Sequence, residues 1–281
     1  MDVKIGCFTL PWSEFGFEDA LSGIAKAGYR YVAFGLTHRG VEVPAIDGGV
    51  VSAREAGKKI ADAGLQTVMM FGRWSGENGV EIMKRRIDQA KEVGCPLIVT
   101  AGVWGYKDGL KTPRTPEEMA PDEAIFYERM AQIAPYAQQA GVTITLKPHT
   151  GNTATAKVLR QTLDRINSPA VRACYDAGNV HFYEGISPEE DLPHIVNQTV
   201  ALCIKDHRGP RAHPDFPTPG DGDVDHTRLF KTLKAASFSG PLVVERFDGT
   251  TPKKEIPLET ANREAKRACD FLTRLVAQEK L

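Results

Sequence analysis

The chain is poor in the features that assign a protein quickly. Its 281 residues hold only five cysteines (Cys7, Cys95, Cys174, Cys203 and Cys269), and none has CxxC spacing, so no disulfide framework or cysteine-rich zinc site is expected. Four of them lie in or beside strand-like runs, where a free thiol behaves as a small apolar group. With 35 Lys and Arg against 36 Asp and Glu the formal charge is -1, which removes the electrostatic reason for a nucleic-acid or anionic-membrane partner. No apolar run approaches the roughly 20 residues that span a bilayer. No Pro/Gly/Ser tract divides the chain, and no basic-then-apolar leader precedes the strand-like VKIGCF at 3–8. These absences predict one domain over residues 1–281, reduced and cytoplasmic.

What is present is a repeated punctuation. Helical stretches close on Gly or Asn and a short apolar strand follows at AKAGYRYVAF, ADAGLQTVMM, KEVGCPLIVT, QQAGVTITL, DRINSPAVRACY, HIVNQTVALCI and AASFSGPLVVE. Gly and Asn suit the left-handed residue that ends a helix. With VKIGCF in front, strands are predicted near 3–8, 30–35, 66–71, 97–101, 142–147, 171–176, 200–205 and 241–246. Runs such as LIVT and LVVE lack polar alternation, as in strands buried on both faces. Eight strands alternating with amphipathic helices predict a (β/α)8 barrel, with its chemistry on the loops that follow the strands.

Three of those loops are long, at 102–121, 207–224 and 247–258, and long ordered loops in compact domains are more often functional than idle. Trp12, Trp74 and Trp104 all follow strands, as do His38, His149, His181, His207 and His213. Aromatic walls with scattered polar groups suit a sugar, with its apolar C–H faces and hydroxyl edges, although the same rings can simply close a barrel top.

Strand parity places further groups. Counting alternate residues back from the strand ends puts Thr143, Thr145, Lys147 and His149 on one face, Cys174 with Asp176, Ala201 with Cys203, Lys205 and His207, and Val243 with Glu245. If those faces point inward, two carboxylates, two lysines and a histidine converge. They must then neutralise one another or hold a ligand. A plain buried Glu245–Lys147 ion pair, an Asx-type turn at Asp176, a barrel-top role for Lys205–Asp206 and a helix-capping His149 are the structural alternatives.

The AGY turn into strand two, KPHTG after strand five, DAGNV after strand six, IKD on strand seven, GDGDVD at 220–225 and VVER on strand eight occur in one order and spacing. In these the chain resembles the xylose isomerase-like TIM barrels of the sugar phosphate isomerase/epimerase family, related to ketose 3-epimerases, inosose dehydratases and, more distantly, endonuclease IV. The resemblance implies one divalent metal (Mn, Mg, Zn or Co) held by Glu, Asp, His and Glu on strands five to eight. Asp176 and Glu245 match that pattern, whereas Lys147 and Cys203 occupy the other two positions, and a companion histidine is Asn179. Either Lys147 replaces the metal and stabilises an oxyanion, or an altered site uses Asp176, Glu245 and His149, with His207 or Cys203.

The implied function is a sugar isomerase or epimerase acting on a small carbohydrate by proton abstraction next to a carbonyl. The alternatives are a lyase or dehydratase on a keto sugar and a non-catalytic sugar-binding barrel. Glu245, Lys147, His149, Asp176 and Lys205 are the catalytic candidates. Glu245 removes the proton, Lys147 or a metal holds the enediolate, and His149 returns the proton; Lys147 could itself act as a base if burial beside Lys205 depressed its pKa. Trp12, His38, Trp74, Trp104, Asn179, His181 and His207 are the substrate-binding candidates. Asp221, Asp223 and Asp225 stand where barrels often take phosphate, which favours a non-phosphorylated sugar. A near-neutral balance and seven histidines argue against the DNA-repair relatives, and the resemblance is compatible with a homo-oligomer.

Overall fold

The structure, a computed structural model, describes residues 3–247, 249 and 256–281. The apolar runs become β1 (Val3–Phe8), β2 (Tyr31–Phe34), β3 (Gln66–Phe71), β4 (Leu97–Thr100), β5 (Thr143–Leu146), β6 (Val171–Asp176), β7 (Thr199–Ile204) and β8 (Gly240–Val244). They close in the order β1-β8-β7-β6-β5-β4-β3-β2, every neighbouring pair parallel. Around them lie α1 (Phe17–Ala27), α2 (Gly49–Asp62), α3 (Gly79–Glu92), α4 (Pro116–Ala140), α5 (Ala156–Ile166), α6 (His226–Ala235) and α7 (Leu258–Glu279). This is the predicted (β/α)8 barrel, with one helix position, between β6 and β7, filled by short turns instead.

The punctuation works as predicted at five junctions, where Gly28, Gly64, Gly94, Gly141 and Asn167 take positive φ. Two junctions differ. Asn197 lies inside the tight turn Val196–Gln198. Before β8 the left-handed residue is Ser237, at φ 53°. Gly240 serves close packing instead: a Cβ there would stand 2.2 Å from the Val200 carbonyl oxygen.

Strand parity sorts the core into two shells. Phe8, Ala33, Met69, Val99, Cys174, Ala201, Cys203 and Val243 fill the barrel interior. Alternate residues such as Val32, Phe34, Met70, Ile98, Ile144, Tyr175 and Leu202 meet the helices, whose apolar stripes include Met83 and Ile87 of α3 and Phe126, Met130 and Ile133 of α4. Each such large side chain contributes about 1.5–3 kcal/mol on burial.

The first long loop ends earlier than predicted. Thr115 and Glu118 form a capping box that starts α4 at Pro116. Within the loops, Leu36–His38 pairs with Val41–Val43, and Tyr106–Lys107 with Thr112–Pro113. Of the predicted loop 247–258, residues 248 and 250–255 lie outside the described residues. Among the described residues no helix is long and apolar enough to cross a membrane.

Candidate active site

The four charged positions picked out by parity all fall at carboxyl ends of consecutive strands. Asp176 closes β6, while Lys147, Lys205 and Glu245 each stand one residue beyond β5, β7 and β8. Lys147 Nζ donates to both Glu245 carboxylate oxygens at 2.7 and 2.6 Å and to Asp176 Oδ2 at 3.2 Å. Lys205 Nζ lies 3.2 Å from the same Asp176 oxygen and 3.3 Å from Glu245 Oε2. The quartet is nearly enclosed, with side-chain exposures of 8%, 5%, 0% and 13% for Lys147, Lys205, Asp176 and Glu245. Two cations and two anions sum to zero, so the buried cluster compensates itself.

Burial opposes the charge on Lys147, but the Glu245 and Asp176 carboxylates outweigh it and hold the lysine well above its ordinary pKa. Burial beside Lys205 therefore does not make Lys147 a base, and that expectation is corrected: its neighbours are the two carboxylates as much as the second lysine. Burial also pushes Glu245 upward, yet Lys147 and Lys205 prevail and hold it well below the usual carboxylate range. For Asp176 burial is the largest influence and raises the pKa against both lysines.

The donors of Asp176, Cys203 and Glu245 converge, each within 4.8 Å of the others, and His149 is not among them. This set does not fit a divalent metal. The Lys147 ammonium is bonded to both carboxylates, and the Cys203 thiol is held protonated by its contact with Cys174 (Sγ to Sγ 3.6 Å) and by burial. A dication would add two uncompensated charges beside two buried ammonium groups.

His149 sits half-buried over this cluster, its Nε2 3.0 Å from the Tyr183 hydroxyl. Burial, then Lys147 and Lys205, push it down to about 3, so it is neutral near pH 7 and carries no spare proton to return. Tyr183, which the sequence did not single out, is raised to about 12 by burial above all. Trp104 completes a wall, its ring 5.5 Å from His149 and 6.0 Å from Tyr183.

The remaining candidates divide. Asn179 is buried, its Nδ2 donating to the Pro148 carbonyl at 2.8 Å and its backbone N–H to Asp176 at 2.9 Å, so it holds the β5 and β6 loops in place. His207 Nε2 lies 2.7 Å from the His213 carbonyl oxygen, which can only accept, so in the neutral ring its Nδ1 is bare. That Nδ1 then accepts from His181 Nδ1 at 3.0 Å, and the pair ties the β6 loop to the β7 loop. Trp74 is buried with its Nε1 on the Ala101 carbonyl.

Two substrate candidates are corrected. Trp12 is fully buried, donates to Asn262 Oδ1 at 2.9 Å and meets Phe247 edge-on. His38 is buried on its hairpin, its Nδ1 3.2 Å from the Trp12 carbonyl oxygen and its ring against Phe17. Both join α1 and α7 to the barrel rim rather than present a face to a ligand.

GDGDVD proves to be a cradle already occupied from within. Asp206, fully buried, accepts from the backbone N–H groups of Gly220, Gly222, His207 and Val224 at 2.9–3.2 Å. Asp225 then caps α6 through Arg228 N at 2.9 Å.

The profile of the xylose isomerase-like TIM-barrel family matches residues 21–275. Among curated relatives, the L-ribulose-5-phosphate 3-epimerase UlaE of Shigella flexneri is 26% identical over 204 residues, 71% of this chain and 64% of that protein. The same enzyme of Salmonella typhi is 27% identical over 176 residues, 61% of this chain and 57% of that protein. The chain thus spans less than two thirds of the length of these relatives. Among solved structures, a D-tagatose 3-epimerase-like protein superposes with TM-score 0.75 at 14% identity, covering 99% of this chain and 98% of the other. D-allulose 3-epimerase from Methylomonas sp. gives 0.75 at 18% identity, covering 98% of each chain. The structural likeness speaks for the fold, and the profile for the lineage: the chain belongs to the xylose isomerase-like TIM-barrel family.

Proposed function

We propose that this protein is an isomerase of the sugar isomerase/epimerase type, acting on a small carbohydrate by proton transfer next to a carbonyl. The observation that carries the proposal is a carboxylate, Glu245, kept ionised by two ammonium groups at the mouth of the barrel. Relatives named as ribulose-phosphate 3-epimerases support the carbohydrate class.

The substrate carbonyl oxygen takes a hydrogen bond from Lys147. That draws the ammonium away from Glu245 and raises the basicity of the carboxylate where a proton is to be removed. Glu245 accepts the carbon-bound proton, the electron pair moves onto the carbonyl oxygen, and Lys147 with Lys205 stabilises the enediolate in a water-poor site. Glu245 then delivers the proton to the former carbonyl carbon, while Lys147 gives a proton to the enediolate oxygen and takes the one released by the neighbouring hydroxyl, so that the carbonyl moves by one carbon. A single base suffices for this exchange. The second carboxylate of a two-base epimerisation has no counterpart here, because its position holds the protonated Lys147. His149 and Tyr183, both neutral, orient substrate hydroxyls by hydrogen bonding.

Glu245→Gln tests this assignment. Turnover on a panel of aldoses and ketoses should fall at least about a hundredfold, the low end of general-base contributions, while sugar binding persists. Undiminished turnover in the variant would refute the role of Glu245. Binding without turnover by the unaltered protein would leave a sugar-binding barrel.

A further inference from the structure

Beside the charged quartet, Trp104 belongs to a second feature. Its ring, 41% exposed, separates the His149–Tyr183 wall from a cleft of about 360 Å³ lined also by Trp74, Val103 and Ile125. Ile125 is 43% exposed on α4, so two of the larger exposed apolar side chains of the molecule meet in this one depression. The volume lies at the lower end of the roughly 300–1,000 Å³ of small-molecule pockets, room for one ring and not for an extended chain.

The rim is polar and fixed. Arg129 Nη1 donates to the Trp74 and Gly76 carbonyls at 2.8 and 2.7 Å. Arg114 donates to the Trp104 carbonyl at 2.9 Å and pairs with Asp122 at 2.7 Å. These bonds hold the walls of the cleft in place without a ligand. An apolar aromatic floor with a carboxylate and guanidinium groups at its edge is the chemistry that receives a pyranose: C–H face on the ring, hydroxyls to the charges. Trp104 connects the two features, packing on His149 and Tyr183 beside the quartet and lining the cleft.

We infer that the cleft is a subsite for a second sugar ring, so that the substrate is a disaccharide-sized glycoside whose reacting unit lies over Lys147 and Glu245. The inference rests on the carbohydrate function proposed above and narrows its substrate class. It also gives the long β4 loop a role: the hairpin Tyr106–Lys107 with Thr112–Pro113 holds Trp104 and Arg114 at the edge of the cleft.

The test compares ketose probes with and without a second ring: fructose and tagatose against lactulose, maltulose and isomaltulose. Affinity is measured by calorimetry, and saturation-transfer NMR reports which ring touches the protein. At least one disaccharide should bind about tenfold tighter than its free ketose, with saturation on both rings. Ile125→Arg, which fills the cleft from an exposed helix position, should shrink that advantage to about threefold or less with an unchanged melting temperature. Equal affinities for single and double rings, or an advantage unmoved by Ile125→Arg, would overturn the subsite while leaving the carbohydrate function standing. Absence of binding and turnover with every sugar would overturn both.

Discussion

The two halves of the barrel are built by the same alternation of strand and helix, yet they end differently at the mouth. Strands β1 to β4 send Phe8, Ala33, Met69 and Val99 inward, and their rim aromatics Trp12 and His38 are buried and bonded. Strands β5 to β8 keep small interior groups, among them Cys174, Ala201 and Cys203, and then place Lys147, Asp176, Lys205 and Glu245 in the next layer. One half is a plug and the other a charged floor. The charge at the mouth is thus confined to four adjacent strands, while the β4 loop of the other half adds Trp104 to the wall beside it.

The largest effect that would sharpen the contrast is on stability. Lys147→Met strands two buried carboxylates with one ammonium and should cost roughly 3–5 kcal/mol. Met69→Ala in the apolar half should cost about 2–5 kcal/mol through its cavity. The two differ in pH dependence. The Lys147→Met deficit should shrink below about pH 5, as a stranded carboxylate takes up a proton, whereas the Met69→Ala deficit should stay constant. Denaturant unfolding at several pH values decides, and identical pH profiles would break the distinction.

Metal affinity gives the next contrast. The unaltered protein should melt at the same temperature in EDTA and in millimolar Mn, because Lys147 fills the cation's place between Asp176 and Glu245. Lys147→Glu with Cys203→His presents carboxylate, carboxylate, imidazole and carboxylate on the four strands. It should gain a Mn-dependent rise in melting temperature of several degrees, reflecting linked binding to the folded state. A chelator-sensitive unaltered protein would contradict the charge argument.

How much of this arrangement was legible in sequence depended on how far apart the deciding partners are. The strands were, because Gly28, Gly64, Gly94, Gly141 and Asn167 mark helix ends locally, and period-two parity then put Lys147, Asp176, Lys205 and Glu245 on one floor. Trp12 was not, since its fate rests on Asn262, 250 residues away. Nor was the protonation of Lys147, where a lysine neighbour and two carboxylates pull oppositely and only distances decide. Tyr183 escaped notice within FYE, because its partner His149 is reached only after a wide turn at Val180–Glu184.

The smallest predicted effect belongs to His149. Its folded pKa of about 3 lies below the ordinary value near 6.5, so the unfolded chain binds the extra proton between them. The contribution of neutral His149 is complete above about pH 6.5 and declines as pH falls towards 3. His149→Asn should flatten the stability curve between about pH 5 and 6.5, where most carboxylates have yet to titrate. An unchanged slope would show that His149 takes up its proton over the same pH range in the folded and the unfolded chain.

The Asp206 cradle has a consequence for how the site meets its ligand. Four N–H donors that would otherwise await an anion already grip a side chain of the same protein. The β7 loop is thus its own template, its shape fixed by a side chain of the same protein. A phosphate ester seeking those donors would have to evict a carboxylate tethered one residue from Lys205. The loop behaves as a lock with its key already turned.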